Sequence, residues 1–278
     1  MSKKKEFETL SKTAIGYSHL RSQVVCQDFS CSYSDSERKI ITACDGHGGK
    51  LYIRSHKGSK FASMAFLQEM MNLKASALRR FDEEAVRASL CQSILNEWKR
   101  LVNEDIAVHP FRKKELKTLG EEQCVLLKKN PIKAYGTTLN GVMTFQNQII
   151  CISIGDGGLF LVKDGDVVSA FPESEDEPVA NLTYSMCGRD AITHMHVGAF
   201  DARSVDAVIA CTDGVLGAYQ SDEDFNKFFV RPTVRYVLEG RAGDVKDFIV
   251  TLGTQSGIGD DVSLSMIVNK KAQAKFYQ

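Results

Sequence analysis

Apolar and polar positions divide the chain into segments of two periods. Up to residue 45 the apolar runs are short and rich in β-formers: Lys12–Tyr17, Asp28–Tyr33 and Lys39–Cys44, with the polar turn Ser34-Asp35-Ser36-Glu37 before the third. Such runs bounded by turn residues predict strands. After Gly49 the period lengthens. Lys50–Leu73 carries Phe61, Ala62, Met64, Ala65 and Phe66, and Asp82–Glu104 carries Val86, Leu90, Ile94, Leu95, Trp98 and Leu101. That spacing predicts two helices, and Asp82-Glu83-Glu84 puts acid where a helix start favours it. A shorter helix is expected over Lys113–Leu127, ended by Pro131. Strand patterns return at Thr137–Phe145, Gln148–Ile154, Leu159–Lys163, Asp166–Ala170, Thr193–Val197, Asp206–Cys211 and Val262–Val268. Helical pattern separates the last two, at Asp222–Val230 and Gly243–Leu252.

No repeat, low-complexity tract or linker interrupts this order, so residues 1–278 are expected to form a single domain. Strands at both ends enclosing helices point to an α+β fold of antiparallel sheets with helices packed outside. Composition narrows the function. Lys+Arg and Asp+Glu both number 35, a formal charge of zero. Proteins that neutralise nucleic-acid phosphates carry a basic excess, so no nucleic-acid partner is expected. The eight cysteines are scattered with no CxxC pair, and several sit in apolar runs. That usage suits a reducing cytoplasm. The basic start Met1-Ser2-Lys3-Lys4-Lys5 is not followed by an apolar signal region, and no run is long enough to span a membrane. The Lys-rich stretch 112–129 reads as a solvated helical face.

The chemistry gathers where apolar strands run into Asp-Gly. Ile40–Cys44 leads to Asp45-Gly46, Ile150–Gly155 to Asp156-Gly157, and Ala207–Thr212 to Asp213-Gly214. Asp260-Asp261 stands just before the last strand. Asp-Gly is also the strongest hairpin signal, and Lys163-Asp164-Gly165-Asp166, between two strands, is read as only that. Asp45 and Asp213 are different, because helical segments follow them rather than partner strands. Carboxylates brought to one sheet edge repel unless a hard cation holds them, and all-oxygen ligation favours Mg²⁺ or Mn²⁺. Paired ions in such a site are a standard device for phosphoester hydrolysis.

Other motifs fail on their own terms. Gly49-Lys50 lacks the earlier glycine and the following Ser or Thr of a phosphate-binding Walker loop. No EF-hand loop, HExxH or GxSxG is present. His194 and His196 share a strand face, with no further ligand nearby, and are read as an ordinary surface or interface pair.

Taken in order, these segments resemble the type 2C metal-dependent Ser/Thr protein phosphatases. Asp45-Gly46-His47-Gly48-Gly49 reproduces the DGHGG signature, and Gly136-Thr137-Thr138 resembles the GTT element. Gly155-Asp156 resembles the start of the GDSR element, Thr212-Asp213-Gly214 the TDG element, and Asp260-Asp261-Val262-Ser263 the terminal DNxS. Cys26-Gln27-Asp28 is similar to the early NQD, and Ser18-His19 to bacterial members. The resemblance implies a four-layer αββα sandwich of two antiparallel sheets flanked by helices. It also implies two Mn²⁺ or Mg²⁺ ions, with a third, weaker site. Asp45 would bridge the two ions and the Gly46 carbonyl would bind one of them. Asp213 and Asp260 would complete one ion, Asp28 would act at the other, and Asp156 with Asp213 would form the third site. His47 would be the general acid for the leaving alkoxide. Phosphorylated proteins would be substrates, with a Ser/Thr kinase as counterpart.

Several positions depart from the family pattern. Gln23 stands where many members carry a phosphate-gripping Arg, for which Arg21 is the nearest substitute. Gln27 replaces an acidic residue, Gly157-Gly158 replace the Ser-Arg of GDSR, and Asp261 replaces the commoner Asn. Two alternatives therefore remain: a non-catalytic binding or sensing member of the family, and a phosphatase of a small phosphometabolite. The acidic segment 172–178 and the stretch 218–240 are expected to select substrates.

Overall fold

The computed structural model describes residues 7–74, 83–172 and 183–276. Among the described residues there are ten strands: β1 Phe7–Ala14, β2 Phe29–Ser34, β3 Arg38–Cys44, β4 Leu139–Phe145, β5 Gln148–Ile154, β6 Gly158–Lys163, β7 Asp166–Ser169, β8 His196–Asp201, β9 Ala207–Cys211 and β10 Val262–Asn269. They form two five-stranded sheets, ordered β1-β10-β9-β6-β7 and β2-β3-β4-β5-β8. Every pairing within them is antiparallel.

Alternation of side chains along each strand explains the layering. On β3, Ile41 and Ala43 meet Val142, Cys151, Leu161, Val208, Ala210 and Ile267 between the sheets. Ile40 and Cys44 point the other way, into a cluster with Phe66, Met70, Ile94 and Trp98 of the helices Ser55–Asn72 and Gln92–Val108. Leu264 and Met266 of β10 likewise face Val234, Val237, Val245 and Ile249 of the helices Arg231–Leu238 and Ala242–Thr251. Strands apolar on both faces therefore need a helical layer on each side. The result is the expected αββα sandwich.

Boundaries shift where local chemistry overrides periodicity. The first strand starts at Phe7 and stops at Ala14, and Tyr17–Ser22 is a short helix rather than a strand end. Gly16 is the reason for the turn: a Cβ there would lie 2.2 Å from the Asp260 carbonyl carbon. The Lys-rich region forms two helices, Lys113–Leu116 and Glu121–Lys129, because Gly120 interrupts it. The helix expected to end at Val230 continues to Leu238 through a π turn, Asn226–Val230, ahead of Pro232. Proline lacks the N–H an α-helical ladder needs, and a wide turn absorbs the gap. Residues 193–195 form no strand: Thr193 turns back to bond the Asp190 carbonyl, and β8 begins at His196.

A buried ionic knot braces the helical layer beside the site. Arg54, only 3% exposed, donates from Nε to Glu115 at 2.7 Å and from Nη1 to the Tyr135 hydroxyl at 2.7 Å. Tyr135 in turn donates to Asp105 at 2.6 Å, which also accepts from Lys57. The Arg54 backbone N–H bonds the Ala134 carbonyl at 2.8 Å. Gly58 lets the helix lie against this strap, since a Cβ there would be 1.9 Å from the Tyr135 carbonyl oxygen. Arg54→Ala strands carboxylates and a phenol in low dielectric, and is expected to cost about 3–5 kcal/mol of stability, read by urea denaturation. Arg54→Lys should recover only part of this, because one ammonium cannot reproduce the forked contacts.

Candidate active site

Register brings the Asp-Gly turns to one end of the sandwich. Phe29 pairs with Cys44, so Asp28 and Asp45 are adjacent just beyond it. Leu139 pairs with Ile154, and Leu264 with Cys211. In one sheet the end of β5 thus lies level with the start of β4, and in the other the end of β9 lies beside the starts of β6 and of β10, which Asp260 and Asp261 precede.

Carboxylate oxygens of Asp45, Asp156 and Asp213 all lie within 4.8 Å of one another. Asp45 is pushed up to about 8, first by burial and then by the Asp213 charge, with a hydrogen bond from Asp28 opposing the rise. Asp213 is raised to about 6 by burial, Asp156 and Asp260. Asp28, only 6% exposed, is raised well above the ordinary range by burial and by Asp45. The Thr212 hydroxyl, 2.7 Å away, favours its ionised form. The two neighbouring carboxylates Asp28 and Asp45 thus both resist ionisation. Asp260 lies outside the close trio but adds to the field on Asp45 and Asp213. Oxygen donors this dense, destabilised as anions by one another, suit hard divalent cations.

His47 closes one side. Its backbone N–H donates to the Gly136 carbonyl at 3.1 Å, and its ring meets Tyr52 edge-on at 5.0 Å. Nε2 is buried with no hydrogen-bond partner among the described residues, an exception that calls for a function. Burial lowers its pKa, while Asp156 raises it. A buried imidazole nitrogen beside clustered carboxylates is placed to exchange a proton with a ligand.

A family model described as protein phosphatase 2C matches residues 15–246. The chain belongs to that family. No curated protein matches it by sequence. Among solved structures, a bacterial serine phosphatase aligns at a TM-score of 0.61 and 14% identity, covering 95% of this chain and 98% of that one. The Ser/Thr phosphatase Stp1 from Staphylococcus aureus gives 0.59 at 13%, covering 95% of each chain. The catalytic domain of the Ser/Thr phosphatase PstP, solved with two manganese ions, gives 0.54 at 15%, with 94% of this chain and 97% of that one covered. At these identities the likeness bears on the fold alone.

The family's short motifs acquire physical roles here. Thr137 Oγ1 and the Thr138 N–H both donate to the Asp45 carbonyl, at 2.7 and 2.8 Å. The Asp45 N–H donates to Thr138 Oγ1 at 2.9 Å. The Gly-Thr-Thr element thus clamps the backbone at the buried aspartate. Thr212 links Asp28 to the Ser263 N–H, tying both sheets together beneath the carboxylates.

Two of the departures, Gly157 and Asp261, have a structural account. A Cβ at Gly157 would lie 2.3 Å from Asn140 Nδ2 and 2.6 Å from the Cys211 carbonyl, so the family's Ser has no room. Asn140 takes that space, bonding the Cys211 carbonyl and the Ser153 hydroxyl. It is a site-supporting residue that sequence reasoning missed, although an amide in the apolar run Leu139–Phe145 was a visible signal. Asp261 adds negative charge beside the site, where it helps to raise Asp28, and is itself held by donors. It accepts from the Gly16 N–H at 2.8 Å and the Gln27 N–H at 2.6 Å, and lies 2.9 Å from His19 Nδ1.

Arg21 is exposed on the helix Tyr17–Ser22. That helix leans on the Asp260 turn through the Ser18 N–H to the Gly259 carbonyl, 2.9 Å. Gln23 caps it in a left-handed conformation, φ 57°. Gly46 is buried, and a Cβ there would come within 2.5 Å of the Gln27 carbonyl oxygen. The two surface histidines act separately: His194 stacks on Tyr184 at 3.5 Å, and His196 faces Phe171. Of the acidic segment 172–178, residues 173–178 lie outside the described residues. Among the described residues no helix is long and apolar enough to cross a membrane.

Proposed function

We propose that residues 1–278 act as one catalytic domain that hydrolyses phosphoserine and phosphothreonine esters of proteins in the cytoplasm. A Ser/Thr kinase would be its counterpart. The observation that carries the reading is the Asp45, Asp156 and Asp213 trio, with oxygens within 4.8 Å and at least two of its members strongly resisting ionisation. Two Mn²⁺ or Mg²⁺ ions fit these donors. Asp45 would serve both ions and the Gly46 carbonyl one of them, Asp213 and Asp260 would serve one, and Asp28 the other. Asp156 with Asp213 would hold a third. Such ions supply a readily deprotonated water and neutralise charge on the phosphoryl oxygens.

The chain's own groups complete the chemistry. Thr137, Thr138 and Thr212 hold Asp45 and Asp28 in place by the bonds described above. His47 presents Nε2 as the proton donor to the departing serine or threonine oxygen, a poor leaving group that requires one. Arg21 is the nearest candidate to grip the phosphate from outside. The reading is supported by family membership and by Ser/Thr phosphatases that share the fold. Its test is phosphate release from phosphothreonine peptides, compared with small phosphometabolites, in the presence of Mn²⁺, Mg²⁺ or EDTA. Metal-dependent turnover of peptides over metabolites is expected. Turnover of metabolites alone, or of neither, would select one of the other two readings.

A further inference from the structure

Beside the carboxylates opens a cleft of about 720 Å³, bounded by the end of the helix Glu121–Lys129 and the turn Pro131–Tyr135 on one wall, and by residues 183–194 on the other. It is continuous with the site at two points. Tyr52 lines the cleft and also packs on His47. Thr183 lines it and donates to the Asp156 carboxylate. A phosphorylated side chain seated at the carboxylates would therefore carry its flanking residues over this cleft.

The lining is basic in a particular way. Lys129 and Lys133 come from one wall and Arg189 from the facing one. None of the three has a carboxylate partner within ion-pair distance among the described residues, so all three charges face the cleft unneutralised. The acid on the lining, Asp190, is already committed to His194 at 3.0 Å. Lys133 is half-buried and close enough to Cys187 to act on its thiol. Cations of one sign facing each other across a concave surface repel one another and focus a field that attracts an anion. Tyr52 and the stacked Tyr184–His194 pair supply flat surfaces for a peptide.

We propose that this cleft selects phosphopeptides with acidic residues next to the phosphorylated position, and that Lys129, Lys133 and Arg189 are its specificity-determining residues. The proposal rests on the phosphatase reading for the phosphate's place, but not for the charge of the flanks. It also gives part of the Lys-rich stretch a role, since Lys129 turns into the cleft while Lys113 and Lys114 stand apart from it.

The test compares two labelled phosphothreonine peptides, one flanked by Asp and Glu and one by Asn and Gln. Anisotropy is measured on the metal-free protein in EDTA, where no turnover occurs, and kcat/KM is measured with Mn²⁺. The acidic peptide should be favoured on the order of tenfold at low salt, as three solvent-facing charge pairs would give, and less at high salt. The K129Q/K133Q/R189Q variant should bring the ratio close to one. Exposed Arg189→Gln alone, which does not endanger folding, should lower it about twofold. Equal treatment of both peptides by the unaltered protein, or a ratio that survives the substitutions, overturns the proposal. Hydrolysis of p-nitrophenyl phosphate by the unaltered protein reports the phosphatase reading separately. Its absence alongside an intact binding preference would refute that reading and leave the cleft assignment standing.

Discussion

His47→Asn is expected to lower kcat for a phosphothreonine peptide by about 10²–10⁴-fold. p-Nitrophenyl phosphate should lose far less. The two substrates share the attack on phosphorus and differ in what leaves: an aliphatic alkoxide needs a proton, whereas nitrophenolate departs without one. On the proposed reading the proton comes from His47 Nε2, which is buried and has no hydrogen-bond partner among the described residues. Equal losses on the two substrates would assign His47 to support of the site rather than to proton donation. The edge contact with Tyr52, at 5.0 Å, orients the ring. Tyr52→Ala should therefore show a weaker form of the same leaving-group dependence.

Asp45→Asn is expected to abolish metal-dependent turnover and, at the same time, to stabilise the metal-free fold. The two effects share a cause. In the folded chain without cations, Asp45 titrates at about 8, against an ordinary value of 3.8, because burial and Asp213 oppose its charge. Asp213, at about 6, is perturbed in the same sense. A group whose folded value is raised stabilises the fold fully below its unfolded value and loses that contribution as pH rises through the folded one. Metal-free stability should accordingly fall between about pH 4 and pH 8, and Asn at 45 should flatten the fall. Added Mn²⁺ should raise Tm in the unaltered protein, more so at pH 8 than at pH 6, and release protons as it binds. Thermal denaturation across pH, with and without Mn²⁺, checks both statements. A metal-free Tm that rises from pH 6 to pH 8 would contradict them.

Much of the architecture was legible because periodicity and topology say the same thing. Strands at both ends of the chain enclosing helical segments already pointed to antiparallel sheets with helices outside, and the family resemblance supplied the two-sheet sandwich that the doubly buried run Ile149–Ile152 now shows. The Asp-Gly turns at Asp45, Asp156 and Asp213 were legible for a related reason: an antiparallel register can bring the ends of β3, β5 and β9 to one edge. What remained hidden depends on contacts between segments far apart in the chain. Gly16 stops β1 early because the Asp260 backbone passes there. Asn140 explains Gly157 across the sandwich, and Asp261 finds its donors at Gly16 and Gln27. The cleft between 126–133 and 183–194 joins two loops about 60 residues apart in sequence, and neither loop announces it. Arg54 was equally silent, since an arginine at a helix start looks like a surface residue until Asp105, Glu115 and Tyr135 close around it.

The central claim is that clustered carboxylates hold divalent cations that make this chain a phosphatase. Its most direct test is p-nitrophenyl phosphate hydrolysis by the purified protein with Mn²⁺, with Mg²⁺ and with EDTA, alongside Asp213→Ala. The account predicts turnover that requires a metal, stops in EDTA and disappears in the variant. A folded protein that stays inactive with both metals, or activity that persists in EDTA or in Asp213→Ala, would contradict it.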